Sequence, residues 1–169
     1  MTTSANVKLR AATAADAELL GNLLELYIHD LSAWFPQVQL GPDGRFGYPA
    51  LPQYVAGPSD RWAWLIEHQG QVAGFVLARR GSPAADDPAV LDVAEFFVLR
   101  GFRGLGVGFA AAHVLWKLLP GTWTVRVSAR NTAALPFWQA TIAGYLARPL
   151  SPVERSIAGK PWLVFQFGS

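Results

Sequence analysis

The chain has 169 residues, 51% of them apolar and 15% charged, with a net charge of +2 and no cysteine. That composition excludes a disordered chain, and the missing thiols exclude disulfides, thiolate metal sites and a cysteine nucleophile. The weak positive charge gives no reason to expect a nucleic-acid partner, and Asp92, Glu95 and Lys117 interrupt the longest apolar stretches well short of the roughly 18 residues of a membrane span.

The opening M-T-T-S-A-N-V-K-L-R lacks an apolar leader, so a cytoplasmic protein with one domain over 1–169 is expected. V-K-L-R at 7–10 reads as a first strand. Thr13 to Asp16 resembles a capping box, and Leu20, Leu23, Leu24, Tyr27 and Leu31 recur at helical spacing, which predicts a helix over about 14–30. Residues 36–60, rich in Pro, Gly and single aromatics, read as a long loop with a short helix near L-P-Q-Y-V, placed to cover a site. W-A-W-L-I-E-H, the turn Q-G-Q and V-A-G-F-V-L-A-R-R form a hairpin, and S-P-A-A-D-D-P is a polar loop.

A nearly unbroken apolar strand follows over 89–99, then R-G-F-R-G-L-G-V-G at 100–108 and a helix over 106–118. T-W-T-V-R-V-S alternates as a strand at 122–128, N-T-A-A-L-P-F-W opens a helix capped by Asn131 and stopped near Gly144, and P-W-L-V-F-Q-F is a last strand. Mixed strands and helices around a hairpin predict an α+β or α/β arrangement, one sheet flanked by helices.

The glycine-rich turn between strand and helix is the informative segment. A helix N-terminus exposes unpaired N–H groups and about half a positive charge, and glycines let those donors approach a phosphate unobstructed. Three alternate glycines at a helix start otherwise cost about 1 kcal/mol each. Eleven of the fourteen basic residues are arginine, and Arg100, Arg103, Arg126 and Arg130 fall close to this turn, which points to a local anion site. The P-loop and dinucleotide spacings do not fit, because Gly108 is followed by Phe109-Ala110 and the third glycine place of the dinucleotide pattern holds Phe109.

Arg103-x-x-Gly106-x-Gly108 behind a buried strand resembles the pyrophosphate loop of the GNAT superfamily of acyl-CoA-dependent N-acetyltransferases. N-T-A-A-L-P-F-W at 131–138 is similar to the later motif of that superfamily, in the same order and at a similar separation, and L-Y-I-H-D-L-S at 26–32 resembles one branch of it. The resemblance implies an acyl-CoA N-acyltransferase fold with a mostly antiparallel sheet, acetyl-CoA as acyl donor, and direct attack by an amine of a small molecule or peptide. It implies donor contacts from Phe96 and Val98, from Arg103, Gly104, Leu105, Gly106, Val107 and Gly108, and from Asn131 and Trp138.

Glu95, a carboxylate inside an apolar run, is the candidate acceptor of the ammonium proton, because burial raises the pKa of such a group; a purely structural carboxylate is the other reading. Asp92 reads as an exposed edge or loop partner, and strand alternation sets it on the opposite face from Glu95 unless a bulge intervenes. Tyr27 and Asp30 share a helix face that suits a cationic amine, or else serve as core and cap. Where many relatives carry an acidic tyrosine this chain has Trp138, so another hydroxyl such as Tyr27 serves, the thiolate leaves unassisted, or the domain binds acyl-CoA without transfer. A packing or interaction module using seven tryptophans, including as a homodimer, is the remaining alternative. Asn131 is a good N-cap in any protein, His113 reads as an ordinary helix residue, and His29 and His68 have no partner at metal-ligand spacing.

Overall fold

The computed structural model describes residues 6–169, and residues 1–5, the start of the M-T-T-S-A-N-V-K-L-R stretch, lie outside them. Seven strands form one sheet in the order β1-β2-β3-β4-β5-β7-β6. In chain order the elements are β1 (Val7–Ala11), a 3-10 turn (Ala14–Asp16), α1 (Ala17–Ser32), α2 (Leu51–Val55), β2 (Arg61–His68), β3 (Gln71–Arg80) and β4 (Leu91–Val98). A second 3-10 turn (Arg100–Phe102), α3 (Val107–Leu118), β5 (Thr122–Ser128), α4 (Ala134–Leu146), β6 (Val153–Ile157) and β7 (Lys160–Gly168) complete the chain. Every strand pair is antiparallel except β4 with β5.

The expected mixed, mostly antiparallel sheet flanked by helices is therefore the observed architecture. Helices cover both faces because the strands carry apolar residues on both. Leu20, Leu23 and Leu24 of α1 and Tyr54 of α2 pack on Leu65, Phe75 and Leu77. Ala111, Leu115 and Trp116 of α3 and Ile142 of α4 pack on Val76, Trp123 and Phe165 from the other side. Apolar residues on both faces of β2 and β3, with covers on each, are what a central sheet requires, while β5 is apolar only on the α3–α4 face and turns Thr124 and Arg126 to the other.

The expected capping box is present but opens the 3-10 turn that leads into α1, not α1 itself: the Thr13 N–H and hydroxyl both donate to Asp16 Oδ2, at 2.9 and 3.2 Å, and α1 begins at Ala17. Strand β6 (V-E-R-S-I) has no counterpart among the expected elements. All but one of its residues are exposed, so it carries none of the apolar alternation that marks a half-buried strand. Among the described residues no helix is long and apolar enough to cross a membrane.

Candidate functional site

The site begins where the sheet opens. β4 and β5 pair only through Leu91–Trp123, Asp92–Thr124 and Val93–Val125, beyond which neither strand pairs with the other. Two cavities flank this divergence, of about 540 and about 290 Å³, and Tyr27, Phe96, Asn131 and Trp138 line both.

The larger cavity lies at the glycine turn. Gly104 and Gly106 have φ of 76° and 75°, and a Cβ at either would meet nothing within 4 Å, so backbone conformation and not crowding calls for glycine there. Gly106 is the N-cap of α3, and the first N–H groups of that helix have no intrahelical acceptor. Gly104, Gly106, Val107 and Gly108 line the cavity beneath them. Gly108 is held close, since a Cβ there would lie 3.1 Å from the Phe137 ring. Leu105 stands apart, with an exposed side chain that does not line the cavity.

Phe96 and Val98 enter the same cavity from β4. The N-cap of α4 is Ala133 and not the expected Asn131; Asn131 lies two residues before it, lines the cavity, and its Oδ1 accepts the Ala134 N–H at 3.3 Å. Trp138 is buried and meets Phe96 edge-on at a centroid distance of 5.0 Å.

The loop arginines are engaged within the protein. Arg103 donates from Nε to the Val98 carbonyl at 2.8 Å and from Nη2 to Asp30 Oδ2 at 2.7 Å, with its guanidinium 5.5 Å over the Phe97 ring. Arg100 takes the other oxygen of Asp30 at 2.7 Å. Burial alone raises the Asp30 pKa, and the two arginines outweigh it and hold the group below its ordinary value. The helix face expected to join Tyr27 and Asp30 is thus divided: Asp30 turns to the loop arginines and Tyr27 to Glu95. The expected cluster of arginines at the turn is divided too, since Arg126 pairs with Asp92 and not with the glycine loop.

Glu95 lines the smaller cavity and accepts two phenolic hydrogen bonds, from Tyr27 to Oε2 at 2.6 Å and from Tyr48 to Oε1 at 3.0 Å. Burial raises its pKa above the ordinary carboxylate range, against the opposing effects of the two tyrosines and the Arg126 charge. Burial first, and then the Glu95 charge, push the pKa of both tyrosines up, so each remains a protonated donor. Tyr48 reaches the site because Glu25 of α1 accepts the backbone N–H groups of Phe46 and Gly47 at 2.7 and 2.8 Å and pins the loop. Sequence reasoning missed Tyr48, a single aromatic in a Gly/Pro-rich loop where no periodicity marks it.

Asp92 is a correction. It is 0% exposed, not an exposed edge residue. It accepts hydrogen bonds from Arg126 Nε and Nη2 at 2.9 and 2.8 Å, from Arg79 Nε at 3.2 Å and from the Thr124 hydroxyl at 2.8 Å. The bulge that would change its facing is present: Leu77 pairs with Glu95 and Ala78 with Val93, which leaves Ala94 unpaired on β4. One extra residue restores the phase, so Asp92 and Glu95 share the α1 face. Of the two, Glu95 lines the cavity.

His113 Nε2 lies 2.9 Å from the Thr141 carbonyl, within the α3–α4 packing. No group of three or more His, Asp or Glu suited to a metal occurs among the described residues.

The sequence model of the acetyltransferase (GNAT) family matches residues 24–145. An acetyltransferase from Thermus thermophilus superposes with a TM-score of 0.63 at 20% identity, over 96% of this chain and 97% of that one. An aminoglycoside acetyltransferase, AAC(6')-Ib, solved in complex with coenzyme A, gives 0.66 at 15% identity over 95% and 94% of the two chains. Arabidopsis thaliana NAA60 in complex with a bisubstrate analogue gives 0.60 at 17% identity over 96% and 98%. At these identities the likeness is one of fold. No curated protein sequence matches.

Proposed function

The chain belongs to the acetyltransferase (GNAT) family, and from that premise we propose that it transfers an acetyl group from acetyl-CoA to a primary amine of a small molecule or peptide. The observation that carries this reading is the meeting of two cavities at the β4–β5 divergence, one at a glycine-built helix N-terminus and the other at a buried carboxylate.

The residues fit the acyl donor. The positive φ of Gly104 and Gly106 and the open space where their Cβ atoms would sit leave backbone donors free to approach a pyrophosphate, with Leu105, Val107 and Gly108 completing the turn. Phe96, Val98, Asn131 and Trp138 suit the pantetheine arm. Arg103, with its guanidinium on Asp30 and Val98, braces the turn and lines the same cavity. Acetyl-CoA, when bound, supplies an activated thioester that an uncharged amine attacks directly.

The chain's own part is proton handling and orientation. The Glu95 carboxylate takes the proton of the incoming ammonium, and its raised pKa makes it a better acceptor than an ordinary surface carboxylate. Tyr27 and Tyr48 fix the carboxylate by donating to opposite oxygens. Tyr27 lines both cavities, but its one hydroxyl proton is donated to Glu95 and its pKa is pushed up by burial, so it does not replace the acid that Trp138 lacks and the thiolate leaves unassisted. Asp30 anchors the arginines of the turn.

One observation favours a second reading, a domain that binds acyl-CoA without transfer: Trp138 offers an N–H with no useful acidity where both cavities meet. Thermal unfolding with millimolar acetyl-CoA tests binding, since a ligand at 100 times its Kd adds about 2.7 kcal/mol. Free-thiol release with a panel of amines then separates transfer from silent binding. A turn that binds no CoA overturns both readings.

A further inference from the structure

Arg126 has no part in the acyl transfer described so far. Its Nε and Nη2 form a two-pronged pair with Asp92, while Nη1 finds no acceptor among the described residues. The side chain is 12% exposed, lines the smaller cavity and lies 5.3 Å from the Trp162 ring. An arginine held rigidly by one carboxylate, with a further N–H edge at a cavity, is preorganised for a second anion.

The local charges point the same way. Arg79 and Arg126 both pair with Asp92, which leaves one positive charge in excess at the sheet, and Glu95 is the anion that faces it. Tyr27 from α1, Tyr48 from the loop and Tyr54 from α2 are neutral phenols on this face, while Asp30 of α1 is already paired with Arg100 and Arg103 and Glu25 accepts the N–H groups of Phe46 and Gly47. When Glu95 accepts a proton, the excess charge loses its counterion in a desolvated setting, which is costly unless the acceptor itself brings an anion. Four aromatic rings, Phe35, Phe96, Trp138 and Trp162, line the same cavity beside aliphatic side chains, with Ser128 and Asn131 as its uncharged polar members. A volume of about 290 Å³ suits a metabolite better than a long polymer segment.

We propose that the acceptor is a free amino acid with an apolar side chain, its ammonium at Glu95, its carboxylate at Arg126 and its side chain among Phe35, Trp138 and Trp162. This rests on the reading of Glu95 as the residue that receives the acceptor's proton. A plain amine satisfies Glu95 but brings no second anion to Arg126 beyond Asp92, and a peptide N-terminus offers no carboxylate at that distance from its amine.

Titration calorimetry of the full chain, with and without CoA, compares leucine, phenylalanine and tryptophan with their decarboxylated amines, isoamylamine, 2-phenylethylamine and tryptamine. The carboxylate should tighten binding about tenfold to a hundredfold in at least one pair, the effect of a charge-assisted hydrogen bond. Arg126→Met should shrink that ratio to within about threefold, and Arg126→Lys should keep part of it. Amines that bind as tightly as the amino acids in all three pairs, or a ratio that survives Arg126→Met, overturn the proposal. Should Arg126→Met fail to fold, the methyl esters of the three amino acids decide on the unmodified protein, because they keep the bulk and lose the charge. Binding is read apart from turnover. Amino acids that bind through Arg126 and release no thiol leave this site standing and remove the transfer reading, while amines that turn over and bind as well as amino acids do the reverse.

Discussion

The Tyr27 hydroxyl on α1 donates to Glu95 Oε2 on β4 at 2.6 Å, joining the helix face to the strand at the place where the two cavities meet. Tyr48 matches it on the other oxygen, so the carboxylate is held from two elements that share no sequence neighbourhood.

Removing either donor should therefore move the pH dependence in a fixed direction. The working base is the carboxylate, whose pKa burial has already raised and which the phenol hydrogen bonds lower. Tyr48→Phe removes a bond that favours the charged form, so the pKa rises further and activity is lost at a higher pH on acidification. The acid limb of kcat/KM in thiol release should shift upward for Tyr48→Phe and also for Tyr27→Phe. An unmoved or downward-moved limb contradicts this arrangement.

Asp92 should matter for stability because it is the shared anion of two arginines in the sheet. Asp92→Ala leaves Arg79 and Arg126 without that partner, and breaking a buried ion pair from one side costs about 3–5 kcal/mol. Urea unfolding of the variant should show a loss of this size. A loss below about 1 kcal/mol, the range of an exposed ion pair, would mean that the pairing is solvent-screened.

Within the glycine turn, two positions make a matched comparison. Gly106 has φ of 75°, whereas Gly101 is outside the left-handed region, and a Cβ at either meets nothing within 4 Å. Gly106→Ala should cost about 1–2 kcal/mol from backbone strain alone and weaken CoA binding, while Gly101→Ala should do neither. Thermal unfolding and CoA titration of the two variants check this. Equal effects would show that the conformation of the turn is not what the ligand needs.

Trp138 packs against Phe96, Trp116 and Phe137 and supplies no acid. Trp138→Phe should keep kcat within about a hundredfold, the lower bound for a lost general acid or base. A larger loss with acetyl-CoA binding intact would assign the indole a chemical role.

Much of this is legible in the sequence because it depends on local chemistry. The glycine turn and the helix that follows it depend on neighbours a few positions away, and Glu95 stands out as a carboxylate in an apolar strand. The partners of Glu95 do not, since Tyr27 and Tyr48 lie 68 and 47 residues away from it and reach it only through tertiary packing. The burial of Asp92 is hidden for the same reason: it is tolerable only because arginines from β3 and β5 converge on the carboxylate. The bulge at Ala94 is a matter of register, which strand alternation in β4 alone does not reveal. Strand β6 escapes because an exposed edge strand carries no apolar pattern.

The central claim is that Glu95 takes a proton from an acceptor amine during acetyl transfer. Free-thiol release from acetyl-CoA by the unmodified protein and by Glu95→Gln, with a panel of amines and amino acids and with CoA affinity measured in parallel, tests it most directly. The expected result is turnover by the unmodified protein, a fall of about 10²- to 10⁴-fold in Glu95→Gln, and unchanged CoA affinity. Equal turnover by the two proteins, or none from the unmodified protein with CoA bound, would contradict it.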